Sequence, residues 1–272
     1  MRILIAADME GISGVIHWDQ VSPGNSEYER FRRIMTADVN AAIRGALKAG
    51  AHDIQVSDGH AHAHNILIEE LDARVQLNCG TPSPLSMVQG IDQQIDGVMF
   101  VGYHARVGTQ NAILEHTWSS KTVSNVWINE QQFGEIGLNA ALCGHFNVPV
   151  IMISGDQSAC AEACQLLGPI EIAEVKQAHG RLAAKCLPPE GAQKEIEQAA
   201  FRAVKNLQKG HQPITLRPDT PITLKVELTT SEMADKASWV PDVQRHERVV
   251  SYTADNMLKI YNAFRSIVAI AG

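Results

Sequence analysis

The residues with the clearest capacity for chemistry lie at the start of the chain, in Ile3-Leu4-Ile5-Ala6-Ala7-Asp8-Met9-Glu10-Gly11. An apolar run of strand character ends in two acids spaced i, i+2. On an extended backbone, residues two apart project to the same side. Asp8 and Glu10 therefore aim at one point beyond the carboxyl end of a buried strand. Two carboxylates held that close repel, and the arrangement is costly unless a cation or a proton sits between them.

The same pattern recurs twice. Asp58 and His60 follow the strand-like run Asp53 to Ser57, and His104 follows the apolar run Gly97 to Gly102. In open α/β sheets, ligands bind at the carboxyl ends of the strands. Carboxylate and imidazole together suit zinc, manganese or iron, and the scattered cysteines offer no thiolate zinc site. Two carboxylates with at least two histidines exceed what one catalytic metal usually takes. The arithmetic points to two metals sharing a bridging carboxylate. His60, His62 and His64 would share one face of an extended chain, and His60, nearest the strand end, is the expected ligand. Cys160 and Cys164, at helical i, i+4 spacing, read as packing. There is no Gly-x-Ser-x-Gly elbow and no Gly-x-x-x-x-Gly-Lys phosphate loop, and Gly11-Ile12-Ser13-Gly14 does not complete a dinucleotide fingerprint.

The elements that must position these side chains alternate between strand and helix. After the first strand, Ser26 to Ala49 reads as a helix closed by Gly50, with Val39, Ala42, Ile43, Ala46 and Leu47 as its apolar stripe. Asp53 to Ser57 is a second strand and Val75 to Leu77 a short third. Gly97 to Gly102 has the continuous apolar character of a strand buried on both faces. A long irregular stretch from Arg106 to Thr122 carries Glu115-His116-Thr117, and long loops inside compact domains are often functional. A hairpin from Val123 to Phe133 leads into a helix from Glu135 to Phe146. A buried strand from Val148 to Ser154 and a helix from Ala159 to Leu167 follow. The expected fold class is therefore α/β, a mainly parallel sheet flanked by helices. Beyond Pro188-Pro189 the pattern changes to an amphipathic helix to about Lys209, a connector marked by Pro213, Pro218 and Pro221, strands at Ile222 to Leu228 and Val249 to Thr253, and a final helix from Ala254 to Ala271. The expected division is an α/β metal-binding domain over 1–188 and a smaller C-terminal α+β domain over 189–272.

Composition narrows the function classes. The 272 residues carry 45% hydrophobic and 19% charged residues, a globular balance. A formal net charge of -7 without a basic block makes nucleic acid and anionic membrane surfaces poor partners. No apolar run is long enough to span a bilayer and no signal segment precedes the first strand. Five scattered cysteines fit a reducing, cytoplasmic compartment.

Several motifs, in one order, resemble a known family. Asp8-Met9-Glu10-Gly11-Ile12-Ser13-Gly14, Tyr28-Glu29-Arg30, Asp58-Gly59-His60, Ser86-Met87-Val88-Gln89-Gly90, Gly102-Tyr103-His104-Ala105 and Gly134-Glu135-Ile136-Gly137-Leu138-Asn139-Ala140 look like those of the dipeptide-operon D-aminopeptidases, and the likeness runs to about Pro189. The resemblance implies a zinc-dependent peptidase acting on short peptides with an amino-terminal D-residue. It implies two zinc ions per subunit held by Asp8, Glu10, His60, His104 and Glu135, with Asp8 as the bridge. It selects Glu135 over Glu130, which spacing alone does not. It puts a catalytic histidine at His116, as base, acid or nucleophile, and it implies a homodecamer with an interior channel. The rivals are another dinuclear amidase or phosphoesterase, for which Arg106 near His104 is the one evident cation, and a non-catalytic peptide- or metal-binding protein serving dipeptide uptake.

Overall fold

A computed structural model describes the whole chain, Met1 to Gly272. Its main sheet has seven strands in the order β3-β2-β1-β4-β7-β8-β9. These are β1 (Arg2–Ala7), β2 (Asp53–Asp58), β3 (Gln76–Asn78), β4 (Gly97–Val101), β7 (Val150–Asp156), β8 (Glu171–Gly180) and β9 (Ala183–Cys186). All neighbours pair in parallel except β8 and β9, which form an antiparallel hairpin at the edge. A second sheet of five antiparallel strands runs β11-β12-β10-β5-β6, from β5 (Val123–Ile128), β6 (Gln131–Gln132), β10 (Ile222–Leu228), β11 (Gln244–His246) and β12 (Val249–Ala254).

The two-residue period of β1 sorts its side chains into two cores. Ile3, Ile5 and Ala7, with Met99 and Val101 of β4, join the core under helices α1 (Tyr28–Ala49) and α4 (Pro189–Gln208). Leu4 and Ala6, with Val98 and Phe100, face the opposite core. There the main sheet meets α2 (Glu135–His145), α3 (Gln157–Leu167), the second sheet and α6 (Met257–Ala271). The short α5 (Ser231–Ala237) covers the outer part of that sheet.

Element types follow the sequence closely, and ends move for local reasons. The final helix starts at Met257 because Asn256 caps it, accepting from the Lys259 amide, and Ala254 belongs to β12. Asp156 likewise caps α3, accepting from the Ser158 and Ala159 amides. The turn from β5 to β6 is Asn129-Glu130, both with positive φ (48° and 68°), as a two-residue hairpin requires. The hairpin β8-β9, helix α5 and strand β11 went unread in the sequence. The two sheets divide the chain along a different line from the expected boundary at 188. Strands β5 and β6, before it, pair into the second sheet, whereas α4, after it, packs on α1 beneath the first. All five cysteines are free. No helix is long and apolar enough to cross a membrane.

Candidate metal centre

Strand order sets the position of the site. The chain leaves β1, adds β2 and β3 on one side, then returns to lay β4 on the other side of β1. The carboxyl ends of β1 and β4 flank this switch point, where open α/β sheets form their ligand crevice. The loops leaving them touch through their backbones. The Gly11 amide donates to Gly102 O at 2.7 Å, and the Asp8 amide donates to Val101 O at 2.9 Å. A Cβ on Gly11 would stand 2.0 Å from Tyr103 O, so only glycine allows the approach. Gly102, at φ +75°, is tied by the same geometry, its Cβ position lying 2.3 Å from Asp8 O.

Six side chains converge there: Asp8 and Glu10 after β1, His60 after β2, His104 after β4, His116 from the long loop, and Glu135 at the start of α2. Asp8 lies between two imidazoles, Oδ1 at 3.3 Å from His60 Nδ1 and Oδ2 at 3.4 Å from His104 Nε2. Glu10 Oε2 is 3.1 Å from His60 Nδ1. Glu135 Oε1 is 3.2 Å from His104 Nε2 and 3.8 Å from His116 Nε2, and it accepts from the Trp118 amide at 2.7 Å. The rings of His104 and His116 stack with centroids 4.1 Å apart, and Trp18 meets His116 edge-on.

Each imidazole has one nitrogen fixed by a backbone carbonyl. His60 Nε2 faces Val21 O at 2.7 Å, His104 Nδ1 faces Ala105 O at 3.0 Å, and His116 Nδ1 faces Leu114 O at 2.9 Å. A carbonyl can only accept, so in the neutral ring the proton sits on that nitrogen. The other nitrogen, facing the carboxylates, then carries a lone pair. That is how metal-ligating histidines are oriented.

The donor set fits a metal by two further observations. Asp8 Oδ2, Glu10 Oε2 and His104 Nε2 are fully buried and lack a hydrogen-bond partner, a cost that a bound cation removes. Ligands 2.0–2.1 Å from a tetrahedral zinc stand about 3.3 Å from one another, close to the separations of 3.1–3.4 Å among Asp8, Glu10, His60, His104 and Glu135. The ligand atoms fall into two groups sharing His104, one with Asp8 and Glu10, the other with His116 and Glu135.

The charges are strongly coupled. Burial, then the neighbouring Glu10, pushes the Asp8 carboxyl up. Burial pushes Glu10 up as well, but the charge of His60, 3.1 Å away, leads the interactions that outweigh it and hold Glu10 well below the usual range. Burial works against protonation of His60 and His104, yet the facing carboxylates raise both. His116 differs: burial and the neighbouring His104 hold it below 6.5, so the neutral ring is favoured.

Other side chains from the sequence reading have different roles. Asp58 stays out of the cluster and caps the next loop, accepting from the Asn65 and Ile66 amides at 2.6 and 2.8 Å. Asn65 Nδ2 in turn donates to His60 O at 2.6 Å, which fixes the backbone carrying the His60 ring. His62 and His64 stack on each other at the surface. Glu130 is exposed and pairs with Lys225 at 2.6 Å. The Arg106 guanidinium folds back onto Val107 O. Lys176 is a residue that the sequence reading did not single out. Its buried ammonium donates to the carbonyls of Glu10, Ile12 and Val15 at 2.5, 3.0 and 2.7 Å.

Asp8, Glu10, His60, His116 and Glu135 form the floor of a cavity of about 740 Å³, with His104 buried behind them. Its walls include Trp18, Pro23, Met87, Trp118, Lys121 and Arg265.

The model of a protein family described as D-aminopeptidase, peptidase M55, matches residues 1–266. A D-aminopeptidase from Bacillus subtilis (strain 168) is 35% identical over 273 residues, covering 100% of this chain and 98% of its own. A solved structure of the Zn-dependent D-aminopeptidase DppA from Bacillus subtilis, described as a self-compartmentalizing protease, superposes with a TM-score of 0.95. It has 33% identity, over 100% of this chain and 98% of that one.

Proposed function

The chain belongs to the D-aminopeptidase family of peptidase M55, and from that membership we propose that it is a dinuclear zinc aminopeptidase removing an amino-terminal D-residue, such as D-Ala, from short peptides. The observation that carries the reading is the convergence of Asp8, Glu10, His60, His104 and Glu135, each imidazole fixed by a carbonyl, at an open cavity. In this reading Asp8, Glu10, His60, His104 and Glu135 would together hold two zinc ions, with Asp8, between His60 and His104, as the shared ligand. Zinc bound there supplies Lewis acidity toward the scissile carbonyl and lowers the pKa of a water molecule to about 7.

The residues of the chain contribute orientation and proton transfer. Leu114 O keeps the Nδ1 proton of His116, leaving Nε2 free toward the reaction centre. A neutral imidazole so placed can take a proton from the attacking water and return it to the departing amine, or attack the carbonyl itself. The Trp118 amide fixes the Glu135 carboxylate, and the Trp18 and Trp118 side chains help wall the cavity above the floor.

His116→Ala tests whether His116 acts in catalysis or as a metal ligand. The expected result is loss of turnover on D-alanyl-D-alanine with zinc content unchanged, read by elemental analysis of the purified protein. A second reading is favoured by one observation, the grouping of His116 Nε2 with His104 and Glu135 at ligand spacing. It predicts that His116→Ala loses zinc as well. Wild-type activity in the variant would contradict both. The five unpaired cysteines support work in a reducing compartment, the cytoplasm.

A further inference from the structure

The cavity above the metal centre is polarised. Its only carboxylates, Asp8, Glu10 and Glu135, lie in the floor, and its only lysine and arginine are Lys121 and Arg265. Neither cation has an acidic partner. Arg265, on α6, spends one donor on Pro84 O at 2.8 Å, and Lys121 makes no ion pair. A guanidinium carries five N–H donors, so Arg265 retains most of its capacity, and the Pro84 carbonyl restrains where it points. Every other buried or half-buried cation discussed above is committed to a carbonyl or a carboxylate.

Chain geometry limits how far the Lys121 backbone stands from Glu135. The Trp118 amide touches the Glu135 carboxylate at 2.7 Å, and Lys121 follows three residues later. Three trans peptide steps reach at most about 11 Å. The actual path is shorter, because the Thr122 and Val123 amides both turn back to Ser119 O at 3.2 and 3.0 Å. An extended dipeptide spans roughly 7 Å and a tripeptide roughly 10 Å. That separation suits one end of a short peptide at the cluster and the other beside Lys121, and Arg265 lines the same cavity.

Resting on the aminopeptidase reading above, we propose that Arg265 and Lys121 form a subsite for the substrate's C-terminal carboxylate. The floor takes the amino terminus and scissile carbonyl, and the two cations take the far end. This makes the protein selective for peptides with a free carboxylate two or three residues from the amino terminus. A C-terminal amide of the same length leaves the cations unneutralised and loses charge-assisted hydrogen bonds. The expected penalty is about tenfold to a hundredfold in kcat/KM, carried mainly by KM.

The test compares D-alanyl-D-alanine with D-alanyl-D-alaninamide on the zinc-loaded protein, wild type and Arg265→Met, Lys121→Met and the double variant. The expected result is a wild-type preference for the free acid that shrinks in each single variant and falls to within about twofold in the double, zinc content being unchanged. A merely structural Arg265 would impair both substrates equally, and Lys121→Met, at an exposed position, leaves folding intact. Equal rates on acid and amide in the wild type would overturn the subsite while leaving the aminopeptidase reading standing. Binding of reduced-bond analogues of the acid and the amide, which cannot be hydrolysed, is followed by calorimetry. Tighter binding of the acid analogue without turnover of either peptide would keep the subsite and overturn the aminopeptidase reading. Equal binding of the two analogues would overturn the subsite.

Discussion

Lys176 shows how one residue shapes the metal loop. All three donors of its ammonium are used on carbonyls between Glu10 and Val15, a segment that runs as irregular backbone from β1 toward α1. Asp38 holds the same loop from another side, accepting from the Ser13 amide at 3.1 Å. Burial pushes the Lys176 ammonium down to about 8, and Asp156 is the first of the neighbouring charges that resist the shift. Lys176→Met keeps the stem but leaves three buried carbonyls without a donor. We predict a loss of about 2–4 kcal/mol, from the cost of unsatisfied buried acceptors. We also predict weaker zinc binding, because Glu10 is no longer held. Thermal unfolding and competition with a zinc-binding dye check the two effects. An unchanged melting temperature would mean that the loop keeps its shape without the ammonium. No spacing rule finds this lysine, since its partners lie more than 160 positions away along the chain.

At the scale of elements, the hairpin β8-β9 acts on the catalytic loop from outside the cavity. The Leu114 amide donates to Arg181 O at 3.0 Å, and Arg181 Nη2 donates to Glu115 O at 3.1 Å. The same guanidinium pairs with Glu115 Oε1 at 3.1 Å and lies over the Trp18 ring at 5.7 Å. These contacts bracket His116 on the chain and on the ring that touches it. Arg181→Ala is predicted to lower kcat roughly tenfold while zinc content is retained, because a displacement well under 1 Å already harms an oriented proton-transfer group. Steady-state kinetics beside elemental analysis reads both quantities, and loss of zinc in parallel with kcat would contradict this division of roles.

The legibility of the sequence also divides at this scale. The strands β1, β4 and β7 were readable because burial on both faces leaves a continuous apolar run, β2 because Ile54 and Val56 alternate with polar residues, and α1 because its stripe and Gly50 mark face and end. Strand β8 was missed because one of its faces is exposed, and Glu171, Glu174 and Gln177 break the run. The membership of β5 in the second sheet was unreadable for another reason. It pairs with β10, whose residues lie about 100 positions later, and pairing of that range leaves no local mark. In the candidate site, Asp8, Glu10, His60 and His104 were visible as strand-end ligand types. Glu135 and His116 needed the family resemblance, because a helix start and a long loop carry no period. Lys121 and Arg265 come together only through tertiary packing.

For the whole molecule, the fold presents the centre at the sheet's switch point, with the loop segment Trp118 to Lys121, Glu135 of α2 and Arg265, Val268 and Ala269 of α6 lining the cavity beside it. The related DppA is described as self-compartmentalizing. We predict that this chain also assembles with copies of itself, as a homodecamer, measured by light scattering of the zinc-loaded protein. A monomer at micromolar concentration would contradict the assembly without touching the metal centre.

We propose that two zinc ions, held by Asp8 and its neighbouring ligands, carry out peptide hydrolysis. Titration of metal-free protein with zinc, following D-alanyl-D-alanine hydrolysis beside the L,L isomer, tests this most directly. We expect no turnover without metal, a rise that saturates at two zinc ions per chain, and little or no activity on the L,L peptide. Saturation at one zinc, or equal rates on the two isomers, would contradict it.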